Sequence, residues 1–137
     1  MQDETYIYNL EFSVRDYECD LQGVVNNANY QHYLEHARHE FMISQGLSFS
    51  GYHEQGLDLI VTRIEIDYKF PLRSRDKFVV RLALHRQGNV RVVFDQAIFR
   101  LPDEKLVAKA VVVAVATRNG KPVAPPEDLI RGLGFES

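Results

Sequence analysis

One long stretch of this chain repeats at the helical period, and most of the chain beyond it alternates. Tyr30, Tyr33, Leu34, Ala37 and Phe41 fall at i, i+3, i+4, i+7 and i+11, a single apolar stripe along one helix face. The pattern predicts a helix running to about residue 45, with Gly46 as its stop. Asn26 or Asn27 suits its start, because a short amide oxygen can accept from the first-turn N–H groups. A stripe of this kind has to be buried against another element, and the alternating segments supply the surface.

Those segments read as strands. Residues 5–15 alternate, with Tyr6, Tyr8, Leu10, Phe12 and Val14 pointing one way. Residues 57–70 predict a long strand ended by Pro71, with Ile60, Ile64, Ile66, Tyr68 and Phe70 on one face. Residues 78–86 and 90–100 flank the hairpin signal Gln87-Gly88-Asn89. A turn at 101–105 leads into 106–118, the most β-prone run, and Asn119-Gly120 marks a further tight turn. In that run Ala108, Ala110, Ala114 and Ala116 share a face. Either they leave room for a helix to approach closely, or the strand is simply buried on both sides. Residues 47–55 have no period and read as a loop or short turn, and 127–133 as one helical turn. Strand, helix, then antiparallel strands, with no repeat or linker, make a single α+β domain over residues 1–137.

Composition narrows the function classes. The 137 residues are enough for one domain with a real core, and 45% hydrophobic with 26% charged residues is ordinary for a soluble protein. A net charge of −3 with no basic block gives no case for nucleic acid. The longest strongly apolar run, 110–116, is far too short to span a bilayer. Cys19 is the only cysteine, so no internal disulfide forms, and the polar M-Q-D-E-T start is unlike a signal peptide. A cytoplasmic protein without membrane contact is expected.

The helix is preceded by an acidic loop in which Asp16, Glu18 and Asp20 crowd together and Gly23 can take a backbone conformation closed to other residues. A helix N-terminus offers unpaired N–H groups and partial positive charge, which suit a developing oxyanion. Asp20, a few residues before it, can attack a carbonyl or take a proton from water. The same residue can equally be a loop acid that makes a turn with backbone N–H groups. Asp16 and Glu18 read as solvated loop charges. Glu35 and Arg38, at i and i+3, read as a pair on a solvated face. His32, His36 and His39 lie opposite the apolar stripe. With His-Tyr-Leu-Glu-His in place of HExxH, they read as a polar face and not as a metal site. The acidic neighbours of Cys19 raise its thiol pKa and argue against a nucleophile.

The pattern Asp20-x-x-Gly23-x-Val25-x-Asn27-x-x-Tyr30, then Glu35 and Arg38, resembles the hotdog-fold acyl-CoA thioesterases, the 4-hydroxybenzoyl-CoA thioesterase family. Length and strand pattern extend the resemblance over nearly the whole chain. It implies a curved antiparallel sheet of about five strands around one central helix. It implies hydrolysis of an acyl-CoA to a carboxylate and free coenzyme A, without cofactor or metal. Asp20 would be nucleophile or general base, and the segment from Gly23 to the Asn27 backbone N–H would hold the oxyanion. Glu35 is a second catalytic candidate, because other members use a helix glutamate. The family pairs subunits edge to edge with active sites at the interface, which implies a homodimer or a dimer of dimers. Many relatives carry Tyr or His where this chain has Asn27. Val-Asn-Asn resembles the long-chain acyl-CoA and plant-type acyl-carrier-protein branches, which often carry His at the position of Val24. An acyl-carrier-protein substrate and a non-catalytic acyl-CoA-binding module are the alternatives. A hotdog dehydratase needs a histidine in the loop or helix start, and residues 16–28 contain none. Arg63, Lys69, Arg73, Arg86, Arg91 and Arg118 are available for the coenzyme phosphates, with nothing to rank them.

Overall fold

Five antiparallel strands form one curled sheet in the computed structural model, which describes residues 6–135. They are β1 (Tyr8–Ser13), β2 (Leu57–Tyr68), β3 (Lys77–Gln87), β4 (Arg91–Leu101) and β5 (Lys105–Arg118), in the order β1-β3-β4-β5-β2. A two-residue β6 (Lys121–Pro122) adds to β5. Between them Asn119 and Gly120 both have positive φ, 51° and 83°, the conformation that a two-residue hairpin requires. The long helix α1 (Asn27–Ser44) packs chiefly against β3 and β1, and two short helices, α2 (Phe49–Glu54) and α3 (Glu127–Gly132), complete the order. This is the α+β domain that the sequence pattern predicts, in the hotdog arrangement that the resemblance implies. Thr5, the expected start of the first strand, lies outside the described residues.

The core is the meeting of two periods. Tyr30, Tyr33, Leu34, Ala37 and Phe41 of α1 face alternate residues of the sheet, among them Phe78, Val80 and Leu82 of β3 and Val92, Phe94 and Ile98 of β4. Phe12 stacks on Phe78 at 5.0 Å between ring centroids, and Tyr33 meets Phe78 at 4.7 Å. Such aromatic pairs contribute about 0.5–1.5 kcal/mol each beyond the area they bury. The alanine row of β5 does face the helix side. Opposite it a cleft of about 120 Å³ separates α1 from β2 and β5, so the small side chains do not draw the helix close there. Val113 and Val115 on the other face are buried as well, whereas Lys109 and Val111 on that face are exposed, so only part of the strand is covered on both sides.

Two expectations fail for identifiable reasons. Residues 47–55 are not simply a loop: α2 forms there, started by the Ser48 hydroxyl, which accepts from the Gly51 N–H at 3.2 Å. The face expected for β2 is broken by a bulge, with the register shifting between Val61 and Arg63. One extra residue swaps the alternation. Leu59 and Val61 pair with Ala116 and Ala114, and Ile64 and Ile66 with Val112 and Ala110, so both halves face the helix, while Ile60 falls on the outer face. β2 is a sheet edge and carries exposed Ile60, Val61, Ile64 and Tyr68.

Candidate active site

Residues 19–25 form a small hairpin that ends at the start of α1. Cys19 pairs with Val25, the Asp20 N–H donates to the Val24 carbonyl at 2.8 Å, and the Gly23 N–H donates to the Asp20 carbonyl at 3.0 Å. Gly23 has φ 79°, which explains why this position is glycine. One carboxylate oxygen of Asp20 accepts from the N–H of Gln22 at 2.9 Å and of Val24 at 3.4 Å. The turn-making role is therefore real. The second oxygen takes no hydrogen bond among the described residues, and the side chain is exposed. The carboxylate is thus oriented by one oxygen and presented by the other.

Asn26 is the helix cap, its side-chain oxygen accepting from the Ala28 N–H at 2.9 Å. Asn27 is then the first helical residue, and its backbone N–H takes no partner among the described residues. A donor at this place, with the field of an eighteen-residue helix behind it, is suited to a developing negative oxygen.

The hairpin is clamped from two sides. Glu18 is not a solvated charge: its carboxylate accepts from the Tyr33 hydroxyl at 2.8 Å and the Arg15 N–H at 2.9 Å. Its carbonyl accepts from the Asn26 N–H at 3.0 Å and the Asn29 amide at 2.9 Å. Burial, and then the Glu18 carboxylate, push the Tyr33 hydroxyl well above its usual pKa, so it stays a neutral donor. On the other side lies the strap joining β2 to β3. The Val25 N–H donates to the Leu72 carbonyl at 2.8 Å, and the Leu72 N–H donates to the buried Tyr30 hydroxyl at 2.9 Å. Asp16 accepts from Ser74, and Val24 pairs with Arg73. Burial, and after it the charges of Asp16, Asp20 and Glu18, raise the Cys19 thiol, which agrees with a structural residue.

Glu35 stands apart from this group. It is exposed on the flank of α1 that faces β2, about 12 Å along the helix from Asn27. Arg38 overturns the expectation of a solvated pair, because it is only 7% exposed. Its guanidinium donates to the Gln96 side-chain oxygen at 3.0 Å and lies over the Phe94 ring, and the Gln96 amide donates to the Leu34 carbonyl at 3.0 Å. The signal was present in the sequence: Arg38 is four residues from both Leu34 and Met42, at the border of the apolar stripe. The three histidines do not share one face. His32 lies by Asn29, His36 sits edge-on to Phe12, and His39 lines the cleft toward β2. Of the candidate cations, Arg63 pairs with Glu65, Arg86 and Arg118 donate to backbone carbonyls, and Arg73 flanks the hairpin.

Among the described residues no helix is long and apolar enough to cross a membrane. Comparison with known proteins agrees with the fold. The chain is similar to two chloroplastic acyl-acyl carrier protein thioesterases of Arabidopsis thaliana. It is 38% identical to ATL3 over 89% of this chain and 65% of that protein, and 41% identical to ATL2 over 79% and 57%. It therefore spans somewhat more than half the length of these relatives. It is also 30% identical to the acyl-CoA thioesterase YbgC of Haemophilus influenzae, over 86% of this chain and 89% of that one. A crystal structure of a hypothetical protein from Aquifex aeolicus superposes with a TM-score of 0.86 at 32% identity, covering 93% and 99% of the two chains. Residues 14–133 match the thioesterase-like superfamily, and the chain belongs to it.

Proposed function

We propose that this protein hydrolyses acyl thioesters, with Asp20 as the carboxylate that supplies or activates the attacking oxygen. The observation that carries the reading is the pairing of a half-fixed, exposed carboxylate with an unpartnered helix N–H at Asn27, on elements clamped together by Glu18 and Tyr30. As general base, Asp20 takes a proton from water as the water oxygen bonds to the thioester carbon. The carbonyl oxygen gains negative charge and is held at the helix N-terminus. The C–S bond then breaks, and the departing thiolate is protonated. As nucleophile, Asp20 bonds to the thioester carbon and expels the thiolate, giving a mixed anhydride that water hydrolyses to the free acid and the original Asp20 carboxylate. An oxyanion donor such as the Asn27 N–H is worth about 3–4 kcal/mol of barrier. Gly23 allows the turn that places both groups. No cofactor or metal enters this chemistry.

Asp20 is exposed on a single chain, and β2 leaves an apolar edge unpaired, so a homodimer or dimer of dimers that closes the site belongs to the same reading. Acyl-CoA and acyl carrier protein present the same thioester. The two plant relatives, at 38% and 41% identity, favour the protein carrier, and the Haemophilus relative favours coenzyme A.

The test is thiol release from acyl-CoA and acyl-carrier-protein panels by the wild type and by Asp20→Asn, Asn27→Ala and Glu35→Gln. Asp20→Asn is expected to lower kcat by about 10²–10⁴-fold with an unchanged melting temperature. Asn27→Ala does less, because the backbone N–H remains. Activity of Asp20→Asn within a few-fold of wild type, with Glu35→Gln inactive, would move the catalytic carboxylate to the helix. Tight binding of acyl-CoA without turnover on any carrier would identify a binding module instead.

A further inference from the structure

Arg38 is a buried cation that no carboxylate of its own chain engages in an ion pair among the described residues. Within the chain Arg38 meets one amide oxygen and one aromatic face, and among the described residues none of its nitrogens is both fully buried and without a partner, so the remaining donors open on the clefts. Five N–H donors sit on a guanidinium, and the only hydrogen bond they make among the described residues is to Gln96. The side chain lines two adjoining clefts between α1 and β2, of about 120 and 350 Å³, which share Glu35, Arg38 and Val61. The larger begins at Ala28, beside the Asn27 N–H, and the smaller continues past Met42 and Leu59. Along the helix axis Arg38 stands about 17 Å from Asn27. A chain whose carbonyl sits at the helix N-terminus and whose tail follows this groove therefore runs between Val61 and Ile64 of β2 and the mixed helix wall of Ala28, Gln31, His32 and Glu35, and then meets a guanidinium.

We propose that Arg38 is a specificity-determining residue that selects acyl groups carrying a neutral acceptor oxygen, a hydroxyl or keto group, toward the end remote from the thioester. The inference rests on the thioesterase reading. Apolar tails desolvate the guanidinium and leave its donors unpartnered, whereas an acceptor oxygen satisfies them. The other titratable groups on these cleft walls are Glu35, His32 and His39. Glu35 already lends Arg38 partial compensation through its charge, which disfavours a second carboxylate and favours a neutral acceptor. Gln96 fixes the guanidinium by bridging it to the Leu34 carbonyl, so it is the positioning residue for this selection.

The test uses length-matched acyl-CoA series that are unsubstituted, terminally hydroxylated or terminally carboxylated. It also uses the corresponding S-alkyl coenzyme A thioethers, which bind without being hydrolysed. The proteins are the wild type, Arg38→Met and the double variant Arg38→Met/Gln96→Leu. The double variant removes both polar partners together and leaves no orphaned amide. Wild type is expected to prefer the hydroxylated chain to the plain chain by about tenfold or more, in kcat/KM and in thioether Kd, at one favoured length. Both variants should lose or invert that preference while still binding plain chains. Equal ratios in wild type and variants at every length would overturn the proposal. A preference for the carboxylated chain would refute the neutral-acceptor assignment. If no series is hydrolysed, coenzyme A fails as the carrier, and the thioether Kd ratios still decide the role of Arg38.

Discussion

Tyr30→Phe removes one oxygen and almost nothing else. The ring stays packed against Tyr33 and Tyr68, at 6.1 and 5.4 Å between centroids, so no cavity opens. What disappears is the acceptor for the Leu72 N–H, on a hydroxyl whose residue is only 3% exposed. A buried donor left without a partner costs about 1–3 kcal/mol. At roughly 2.1 cal/mol/K per residue, unfolding 137 residues carries an entropy near 0.29 kcal/mol/K. The melting temperature should therefore fall by about 3–10 °C. Tyr17→Phe, at a side chain 76% exposed, is the control and should change it little. Urea denaturation at constant temperature gives the free energy directly, and the m-value should stay the same, because the same surface is exposed on unfolding. A loss below about 0.5 kcal/mol would mean that Leu72 readily finds another acceptor. The clamp between α1 and the strap would then not hold the hairpin in the way described.

Asn26→Ala deletes the helix cap and should cost about 1 kcal/mol by denaturant melt, whereas Asn27→Ala should be close to neutral in stability. The Cys19 thiol is pushed up by burial and by its acidic neighbours, so iodoacetamide at mildly alkaline pH should label it more slowly in the native protein than in urea, as read by mass spectrometry. His53 is raised above its ordinary pKa by its hydrogen bond to Asp58, which an NMR titration with Asp58→Asn as reference should show. Because the folded value is the higher one, this pair favours the fold fully below the unfolded pKa. The contribution fades as pH rises through the folded pKa.

The parts of the fold that rest on local rules were legible. The stripe from Tyr30 to Phe41 and the turns at Gly88 and Asn119-Gly120 each depend on a few neighbouring residues. Features set by tertiary pairing were not. Nothing local at Thr62 announces a bulge, because the extra residue is defined against β5 across the sheet. The six residues of α2 are too few for a period to emerge. In the site, Asp20, Gly23 and Asn27 fell on adjoining elements, as their spacing implied. The role of Glu18 was hidden because its partner Tyr33 is fifteen residues away on the helix. That of Arg38 was hidden because charge suggested solvent, and its polar partner Gln96 lies on a strand that sequence distance conceals.

The hairpin of residues 19–25 has a further consequence, for how such a site can be altered over generations. Its stem is tied at Val25, Leu72 and Tyr30, inside the core. At its tip Leu21 and Gln22 are exposed, Leu21 at 101%. Replacing tip residues changes what surrounds the Asp20 carboxylate while leaving folding stability nearly untouched, since exposed positions of this kind usually vary within about 0.5 kcal/mol. The position of Asp20 is inherited from the stem, and its surroundings are free to drift at the tip. A scaffold divided in this way can explore new substrates one substitution at a time without passing through unfolded intermediates in its ancestry.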